Sequence, residues 1–223
     1  MNYQNIWKKA EKIIPGGNGL LSKRPKRFLS SGWPTYYKKA KGIYLWTLDN
    51  KKLIDFSIMG IGTSVLGYAN SVIDNKVKSA IDNGINTTLN CIEEYELAKE
   101  ILKYNKFAHQ VKFAKGGGEA MSMAIRIARS NSKKYKVVFS GYHGWHDWYI
   151  SANLTNKRNL NNHLLKNLKP LGVPKNLKDS IIPLKFNDHL ELKKIVKENK
   201  DAGILVIEGA RNDYPSLEFV KTI

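Results

Sequence analysis

The apolar run AGILVIEG, residues 202–209, constrains the fold of this chain most strongly. Consecutive apolar residues over this length are typical of a strand that is buried on both faces of a sheet. YKVVFS (135–140) and SIIPLKF (180–186) also have strand character, and a helical pattern over 188–200 separates the last two strands. Strands that alternate with helices predict an α/β protein with a largely parallel sheet, which binds ligands outside the carboxyl ends of its strands.

The segments that precede this alternation have their own secondary-structure patterns. GIYLWTLDNKKLIDFS, residues 42–57, predicts a β-hairpin with its turn at Asp-Asn. VKFAK (111–115) is strand-like and leads through three glycines into a helix over 118–130. Three further helices are predicted near residues 4–13, 71–83 and 93–104.

Composition narrows the class of protein. The 223 residues carry a net charge of +18, but only six of the 37 basic residues are Arg, which is the residue expected for bidentate recognition of phosphates and bases. Lysines are spread along the chain and no nucleic-acid motif occurs, so we do not expect nucleic-acid binding. No apolar stretch is long enough for a membrane span, charged residues interrupt the N-terminal segment, and Cys91 has no second cysteine to pair with. These features predict a cytoplasmic protein with no membrane association.

The glycine turn KGGGEAMSMAIRIAR, residues 115–129, places three glycines immediately before a helix. Free N–H groups and the helix dipole at such a start favour a negatively charged ligand, and glycine lets a phosphate approach without a side chain in the way. The turn matches neither the Walker A pattern nor the dinucleotide-binding glycine pattern. It therefore indicates either an anion cradle or a helix cap that needs unusual backbone angles.

The stretch FSGYHGWHDWY, residues 139–149, concentrates aromatic and histidine side chains directly after a predicted strand. An aromatic ring at this position can stack on a planar ligand beside an anion cradle. An aromatic cluster with hydrogen-bonded histidines is the structural alternative. A metal site built from His143, His146 and Asp147 is a third reading, although the spacing is unusual for metal ligands and aromatic bulk crowds it. We predict no metal site.

The order and spacing of these motifs resemble the class III (fold type I) pyridoxal-phosphate aminotransferases, and among them the glutamate-1-semialdehyde aminomutase-like group. Several independent stretches along the chain match in register, which makes the resemblance specific. They are IIPGGNGLLSKRP, KAKGIYLWTLDNKKLIDFS, VLGYAN, AKGGGEAMSMAIRIAR, GYHGWHDWY and ILVIEG. The resemblance implies a mostly parallel central sheet with helices on both faces, plus a small N-terminal α+β lobe.

The resemblance also implies site residues and pyridoxal 5′-phosphate as the cofactor. Gly117 and Gly118 stand where the family's Gly-Thr amides hold the cofactor phosphate, so one hydroxyl contact is lost. Tyr142 stands at the position that stacks on the pyridine ring, with His143 beside it, and Glu208 matches the active-site carboxylate of a Glu-Pro motif. A Gly replaces that Pro here, which affects the shape of the loop that follows.

The resemblance finally implies a division of the chain and a consequence for activity. Residues 1–70 correspond to a small-lobe segment with the hairpin, and residues 71–223 to the first part of the large cofactor-binding domain. The family's Asp that pairs with the pyridine nitrogen and its Schiff-base Lys have no match in this chain, which resembles an N-terminal half. We therefore expect the chain to be inactive by itself.

In full-length form, the resemblance implies a homodimer that takes a small-molecule amino donor and a keto or aldehyde acceptor. Transaminase and aminomutase chemistry both remain open. Two other classes of function also remain open. One is a non-catalytic fragment that acts as a dimerisation or interaction partner, and the other is a metal-dependent hydrolase that uses His143, His146 and Asp147.

Overall fold

The computed structural model describes residues 3–29, 32–57, 59–164, 166–210 and 213–223. The chain divides into two compact units, Met1–Glu94 and Tyr95–Ile223. No helix in the described ranges combines the length and the apolar character needed to cross a membrane. The assignment of 1–70 to a small lobe and 71–223 to a large domain stays a prediction.

The first unit combines helices with a three-stranded antiparallel sheet. Strand β2 lies in the middle of the sheet, in the order β1-β2-β3. The elements are α1 (Tyr3–Ile13), β1 (Tyr37–Lys41), β2 (Tyr44–Thr47), β3 (Lys52–Ile54) and α2 (Ser71–Asp82), with short 3-10 turns at Leu21–Lys23 and Pro25–Arg27. Helix α3 (Ile92–Tyr104) begins in this unit and ends in the second.

The predicted hairpin is confirmed as β2 and β3. Leu45 pairs with Leu53 in the antiparallel register, and the Thr47 amide donates to the Lys51 carbonyl at 3.0 Å. Asn50 has a φ of +66°, a left-handed conformation that asparagine tolerates better than most residues. The sequence pattern did not predict β1, which extends the hairpin to three strands.

The second unit is built around a parallel sheet in the order β5-β4-β6. After the end of α3, the described part of this unit continues with the helix that follows the glycine turn, α4, and with further helices. Its elements are α4 (Gly117–Ser132), β4 (Lys136–Ser140), α5 (Asp147–Ile150), α6 (Ala152–Thr155), β5 (Ile181–Pro183), α7 (His189–Glu198), β6 (Ala202–Ile207) and α8 (Leu217–Thr222), with a 3-10 turn at Lys175–Leu177.

Alternate residues of β4 supply two separate cores. Val137 and Phe139 are fully buried in a cluster with residues of α4, α5 and α6. Val138 is buried on the other side of the sheet, where it packs with residues of α7 and α8. Because successive side chains of a strand point to opposite faces, helices cover both faces of this sheet. This arrangement confirms the α/β sheet that the apolar runs predict.

One predicted strand is wrong. Residues 111–114 belong to no helix or strand and Lys115 lies in a bend, and within the described ranges no strand pairs with this segment. A strand forms through hydrogen bonds to a neighbouring strand, and this segment pairs with none of the described strands. The local pattern of VKFAK therefore did not determine its state.

Candidate cofactor site

The N-terminus of α4 is formed by bare backbone. Gly116 is the N-cap and offers no side-chain cap, and the helical ladder begins where the Ala120 amide donates to the Gly116 carbonyl at 2.9 Å. The N–H groups of Gly117 and Gly118 lie ahead of that bond, in the part of a helix that has no internal acceptor. A Cβ at Gly116 or Gly117 would meet open space, so an anion can approach this turn closely.

The Glu119 carboxylate is hydrogen-bonded to the backbone at the start of α4. Its Oε2 accepts from the Lys115 amide at 3.0 Å, which closes the first turn of α4 by a side chain. The bond reaches the residue before the N-cap, so it differs from a capping box, in which the N-cap amide itself would donate; the N-cap is Gly116 and has no side chain to cap the helix. Glu119 therefore stabilises the start of the helix.

The loop after β4 contacts the first turn of α4 through backbone atoms. Gly144 has a φ of +101°, and a Cβ at this position would lie 2.7 Å from the Gly118 Cα. Only glycine satisfies both the left-handed angle and this approach. The contact joins the glycine turn to the Tyr-His-Gly stretch, which the sequence predicted to be neighbours.

His146 lies beside the same turn. Its Nδ1 is 2.7 Å from the Ser122 Oγ, and its Nε2 is 3.0 Å from the position that a Gly118 Cβ would take. Ser122 also bonds to the Gly118 carbonyl at 2.9 Å. The imidazole is therefore held over the helix start, and the described residues contain no group of three or more His, Cys, Asp or Glu side chains placed to hold a metal ion.

Tyr142 follows the carboxyl end of β4 and is half-buried. Its ring packs against the core cluster on the α4 side of the sheet. It meets the rings of Trp145 and Tyr149 edge-on, at centroid distances of 6.3 Å and 6.2 Å. Edge-on neighbours support the ring from the side, which is the arrangement a stacking platform needs.

Gly141, which precedes Tyr142, is fixed on every side. It has a φ of +101°, and a Cβ here would lie 2.6 Å from the Glu208 side chain. Its amide donates to His163 Nδ1 at 3.1 Å, and its carbonyl accepts from the Tyr149 hydroxyl at 2.7 Å. The direction of the Tyr142 side chain is therefore set by several contacts to the turn before it.

His143 is buried, with 8 % of its surface exposed. Its Nε2 lies 2.9 Å from the Ser140 carbonyl oxygen, which can only accept, so Nε2 carries a proton. Burial lowers the pKa of His143, while the Ser140 carbonyl and the charge of Glu208 act in the opposite direction. A cofactor contact for His143 stays a prediction.

Glu208 follows β6 at the same edge of the sheet. Its amide donates to the Ser140 carbonyl at 3.1 Å, and its side chain lies against Gly141. It also lines a cavity of about 800 Å³ together with Ser140, Gly141 and His163. Gly118, Gly144, Gly141 and Glu208 thus connect the ends of three elements, α4, β4 and β6.

Sequence reasoning missed several residues that shape this site. The sequence pattern assigns no role to Gly141, Gly144 and Tyr149, and it offers His146 only as a ligand in the alternative of a metal site. His163 was not singled out, since it lies 22 residues after the glycine it contacts. The Gly-Tyr-His-Gly pattern carries a signal for the two glycines, because paired glycines around an aromatic residue indicate unusual backbone angles.

The sequence profile of the class III aminotransferases matches residues 30–206. The chain is 31 % identical over 205 residues to a glutamate-1-semialdehyde 2,1-aminomutase of Sulfurisphaera tokodaii, covering 91 % of this chain and 46 % of that protein. It is 29 % identical to a 3-aminobutyryl-CoA aminotransferase of Cloacimonas acidaminovorans, covering 91 % of this chain and 45 % of that protein. The chain therefore spans about half the length of these relatives.

The fold agrees with these matches. A solved transaminase with PLP bound superposes with a TM-score of 0.82 at 22 % identity, over 99 % of this chain and 51 % of that chain. This likeness shows that the described part has the architecture of a fold type I PLP transferase. Class III aminotransferases are enzymes that use pyridoxal phosphate. On these grounds, the chain belongs to the class III aminotransferase family.

Proposed function

We propose that this chain forms the phosphate cup and the ring platform of a pyridoxal-phosphate-dependent aminotransferase or aminomutase. Such an enzyme moves an amino group from a small-molecule donor to a keto or aldehyde acceptor, or shifts it within one molecule. The observation that carries the proposal is the contact between Gly144 and Gly118. It places the bare start of α4 against the turn that bears Tyr142.

The residues present fit the phosphate of this cofactor. A phosphate monoester carries negative charge, which the dipole at the start of α4 and the free amides of Gly117 and Gly118 favour. Gly116 and Gly117 have open space where side chains would stand, so the oxygens of a phosphate can reach the backbone. Gly118 lacks the hydroxyl of the family's Thr, and backbone amides provide the contacts.

Tyr142 and Glu208 have distinct proposed roles. The Tyr142 ring gives a planar ligand a stacking surface, which fixes the plane of the cofactor relative to the cup. Glu208 supplies an active-site carboxylate next to Gly141 that orients bound groups through hydrogen bonds. When bound, pyridoxal phosphate supplies an electron sink for bonds made or broken next to the amino group.

A binding experiment tests the platform. The full chain is titrated with pyridoxal phosphate and followed by quenching of tryptophan fluorescence, with Tyr142→Leu compared with Tyr135→Leu. Tyr135 is exposed in the same unit, so its variant serves as the matched control. Loss of stacking is worth about 0.5–1.5 kcal/mol, so we expect Tyr142→Leu to bind about 2- to 12-fold more weakly.

Inorganic phosphate is the second arm of that experiment, because it competes for the cup and not for the platform. We expect it to displace pyridoxal phosphate from wild type and from both variants. Equal affinity of Tyr142→Leu and Tyr135→Leu, or failure of phosphate to compete, contradicts the proposal.

We further propose that the chain by itself does not turn over an amino donor. No lysine of this chain stands in the context of the family's Schiff-base Lys, so bound cofactor is expected to remain non-covalent. Borohydride treatment followed by mass spectrometry checks this. Stoichiometric covalent attachment to one lysine of this chain refutes it.

A second candidate function is a non-catalytic interaction partner, and helix α2 favours it. Every residue of α2 is at least partly exposed, and its apolar side chains Val72, Ile73, Val77 and Ile81 are half or more exposed. Exposed apolar surface of this kind is typical of a contact with another polypeptide. Size-exclusion chromatography of wild type and Val72→Glu, with measured mass, tests whether the chain self-associates through this helix.

The proposals on oligomeric state and cellular location rest on membership of the class III aminotransferase family. We propose a homodimer for the full-length form and a cytoplasmic location. The metal-dependent hydrolase is not favoured, because His143 bonds to the Ser140 carbonyl and His146 lies next to Ser122. Elemental analysis that finds one metal ion per chain would revive that alternative.

A further inference from the structure

The turn at Gly141 is hydrogen-bonded to the side chain of His163, which lies 22 residues further along the chain. The Gly141 amide donates to His163 Nδ1 at 3.1 Å, and the His163 ring lies on Phe139 with a centroid distance of 4.9 Å. Phe139 belongs to β4 and is fully buried. The imidazole is therefore seated on the rigid sheet while one ring nitrogen faces the turn.

A buried asparagine brings His163 to this place. Asn153 is 1 % exposed; its Oδ1 accepts from the Leu160 amide at 2.9 Å and its Nδ2 donates to the Leu168 carbonyl at 2.7 Å. These bonds tie Leu160 and Leu168, which lie on either side of His163 in the sequence, to Asn153 of α6. The His163 amide then donates to the Leu160 carbonyl at 3.1 Å, which completes the turn that presents the imidazole.

The hydrogen bond determines the protonation state of the imidazole. A backbone amide can only donate, so His163 Nδ1 must carry a lone pair and the ring proton must reside on Nε2. An imidazolium has no acceptor and cannot accept this bond. Burial lowers the pKa of His163, the neighbouring His143 lowers it further, and the charge of Glu208 raises it, so the neutral ring is favoured.

Other titratable or charged groups line the same cavity. Beyond Glu208 and His163, they are Arg158, Lys185, Asp188, Glu191 and Asp213. Two of the acids are committed to the loop that starts α7, since Glu191 accepts from the Lys185 amide at 2.8 Å and Asp188 accepts from the Glu191 amide at 2.8 Å. None of these bonds competes with the contact between His163 and Gly141.

We propose that His163 is a positioning residue that holds the Gly141 turn, and through it the Tyr142 ring, in the orientation that stacks on the cofactor. The consequence for cofactor binding rests on the proposed function, whereas the clamp on Gly141 does not. His163 acts on the turn through the backbone amide of Gly141. The Nε2–H group of the neutral ring does not take part in the bond to Gly141.

Nuclear magnetic resonance of the uniformly ¹⁵N-labelled full chain tests the clamp without any variant. An N–H···N hydrogen bond gives a through-bond coupling between the Gly141 nitrogen and His163 Nδ1. The long-range ¹⁵N–¹H pattern reports the tautomer. We expect the coupling, the Nε2–H tautomer at neutral pH, and loss of the coupling on acidification. A His163 ring with its proton on Nδ1 overturns the proposal.

Two substitutions separate positioning from packing. His163→Asn keeps an acceptor oxygen close to the Nδ1 position, whereas His163→Leu keeps bulk and removes the acceptor. We expect hydrogen exchange of the Gly141 amide to quicken about 10-fold in His163→Leu and to stay near wild type in His163→Asn. Equal exchange rates in the two variants contradict the clamp.

The cofactor arm then tests the consequence for Tyr142. We expect pyridoxal phosphate to bind His163→Leu about 2- to 12-fold more weakly than His163→Asn, the range expected for a lost ring stack. If the Gly141 results hold and wild type binds no pyridoxal phosphate, the proposed function fails and the clamp stands. If wild type binds and both variants bind equally well, the positioning role is wrong while the proposed function survives.

Discussion

The imidazole of His146 occupies the space that a side chain at Gly118 would need. A Cβ at Gly118 would lie 2.9 Å from His146 Cδ2 and 3.0 Å from Nε2. The ring is held there by the 2.7 Å contact between its Nδ1 and the Ser122 Oγ. The bare residue in the cup and the bulky residue in the following loop are therefore complementary, although 28 positions separate their numbers.

This complementarity predicts a coupling between the two positions. Gly118→Ala removes a costly glycine from a helix but pushes the His146 ring away from Ser122. In a His146→Ala background the imidazole is absent, so the new Cβ of Gly118→Ala has no ring to displace. We expect the two effects on the free energy of unfolding to differ by about 0.5–1.5 kcal/mol, the worth of one hydrogen bond. Urea unfolding of the four proteins measures the difference, and additive effects would show that the contact carries no energy.

A substitution at Gly141 is expected to destabilise the protein by more than the strain of its backbone angle alone, because the new side chain would also meet Glu208. Gly141→Ala places a Cβ in the left-handed region, which costs about 1–2 kcal/mol, and drives it into the Glu208 side chain. Gly172→Ala is the matched control, because Gly172 has a φ of +79° with open space around its Cβ position. We expect Gly141→Ala to be the more destabilising by about 1–3 kcal/mol in thermal and urea unfolding. Equal losses for the two variants would mean that Glu208 moves aside freely.

Removal of the buried Asn153 side chain is expected to reduce the free energy of unfolding by a large amount. Asn153→Ala leaves the buried Leu160 amide and the partly buried Leu168 carbonyl without their partner. An unsatisfied buried group costs about 1–3 kcal/mol and the partly buried carbonyl costs less, so we expect a loss of about 2–5 kcal/mol in the free energy of unfolding. Asn162→Ala, at an exposed position of the same segment, is expected to change stability by less than about 0.5 kcal/mol. Denaturant unfolding compares the two, and similar small losses would remove Asn153 as the organiser of the segment.

Two histidines, the buried His143 and the half-buried His163, predict acid sensitivity. Burial lowers the pKa of His143 and of His163 below the ordinary value of 6.5, so the unfolded chain binds more protons than the folded one just below that value. Their contribution to stability is present above pH 6.5 and is lost as the pH falls through the lowered values. We expect the free energy of unfolding to be smaller at about pH 5.5 than at about pH 7.5.

The control for this pH dependence uses the same chain. His163→Asn is expected to reduce the change in unfolding free energy between the two pH values, because it removes one of the two groups that take up a proton on unfolding. A His163→Asn protein with the full wild-type dependence would assign the acid sensitivity to other groups.

The periodic parts of the fold could be predicted from local sequence. The run at 202–209 and the stretch at 135–140 gave β6 and β4, because a strand buried on both faces must be apolar at successive positions. Helix α4 was predicted from residue 118 and begins one residue earlier, at Gly117. These elements form because their own residues favour them, so a short window of sequence contains the cause.

The parts of the site that could not be predicted depend on contacts between distant residues. Nothing near His163 indicates that its ring meets Gly141, since the fold of the intervening segment decides the contact. The expected strand at 111–115 failed for the same reason, because pairing with a neighbour determines a strand. The resemblance to a family points to Gly118 and Tyr142 as site residues, a role that stays a prediction, whereas the packing of His146 against Gly118 required coordinates.

The meeting of Gly118 and Gly144 has a consequence for how this site can change. Each residue approaches the other with main-chain atoms, so the separation between helix and loop is independent of any rotamer. Side-chain replacements elsewhere can alter charge or shape around the cup, yet they leave its width as it is. Widening it requires a shift of the whole α4 axis or of the polypeptide after β4, which the two cores behind β4 resist.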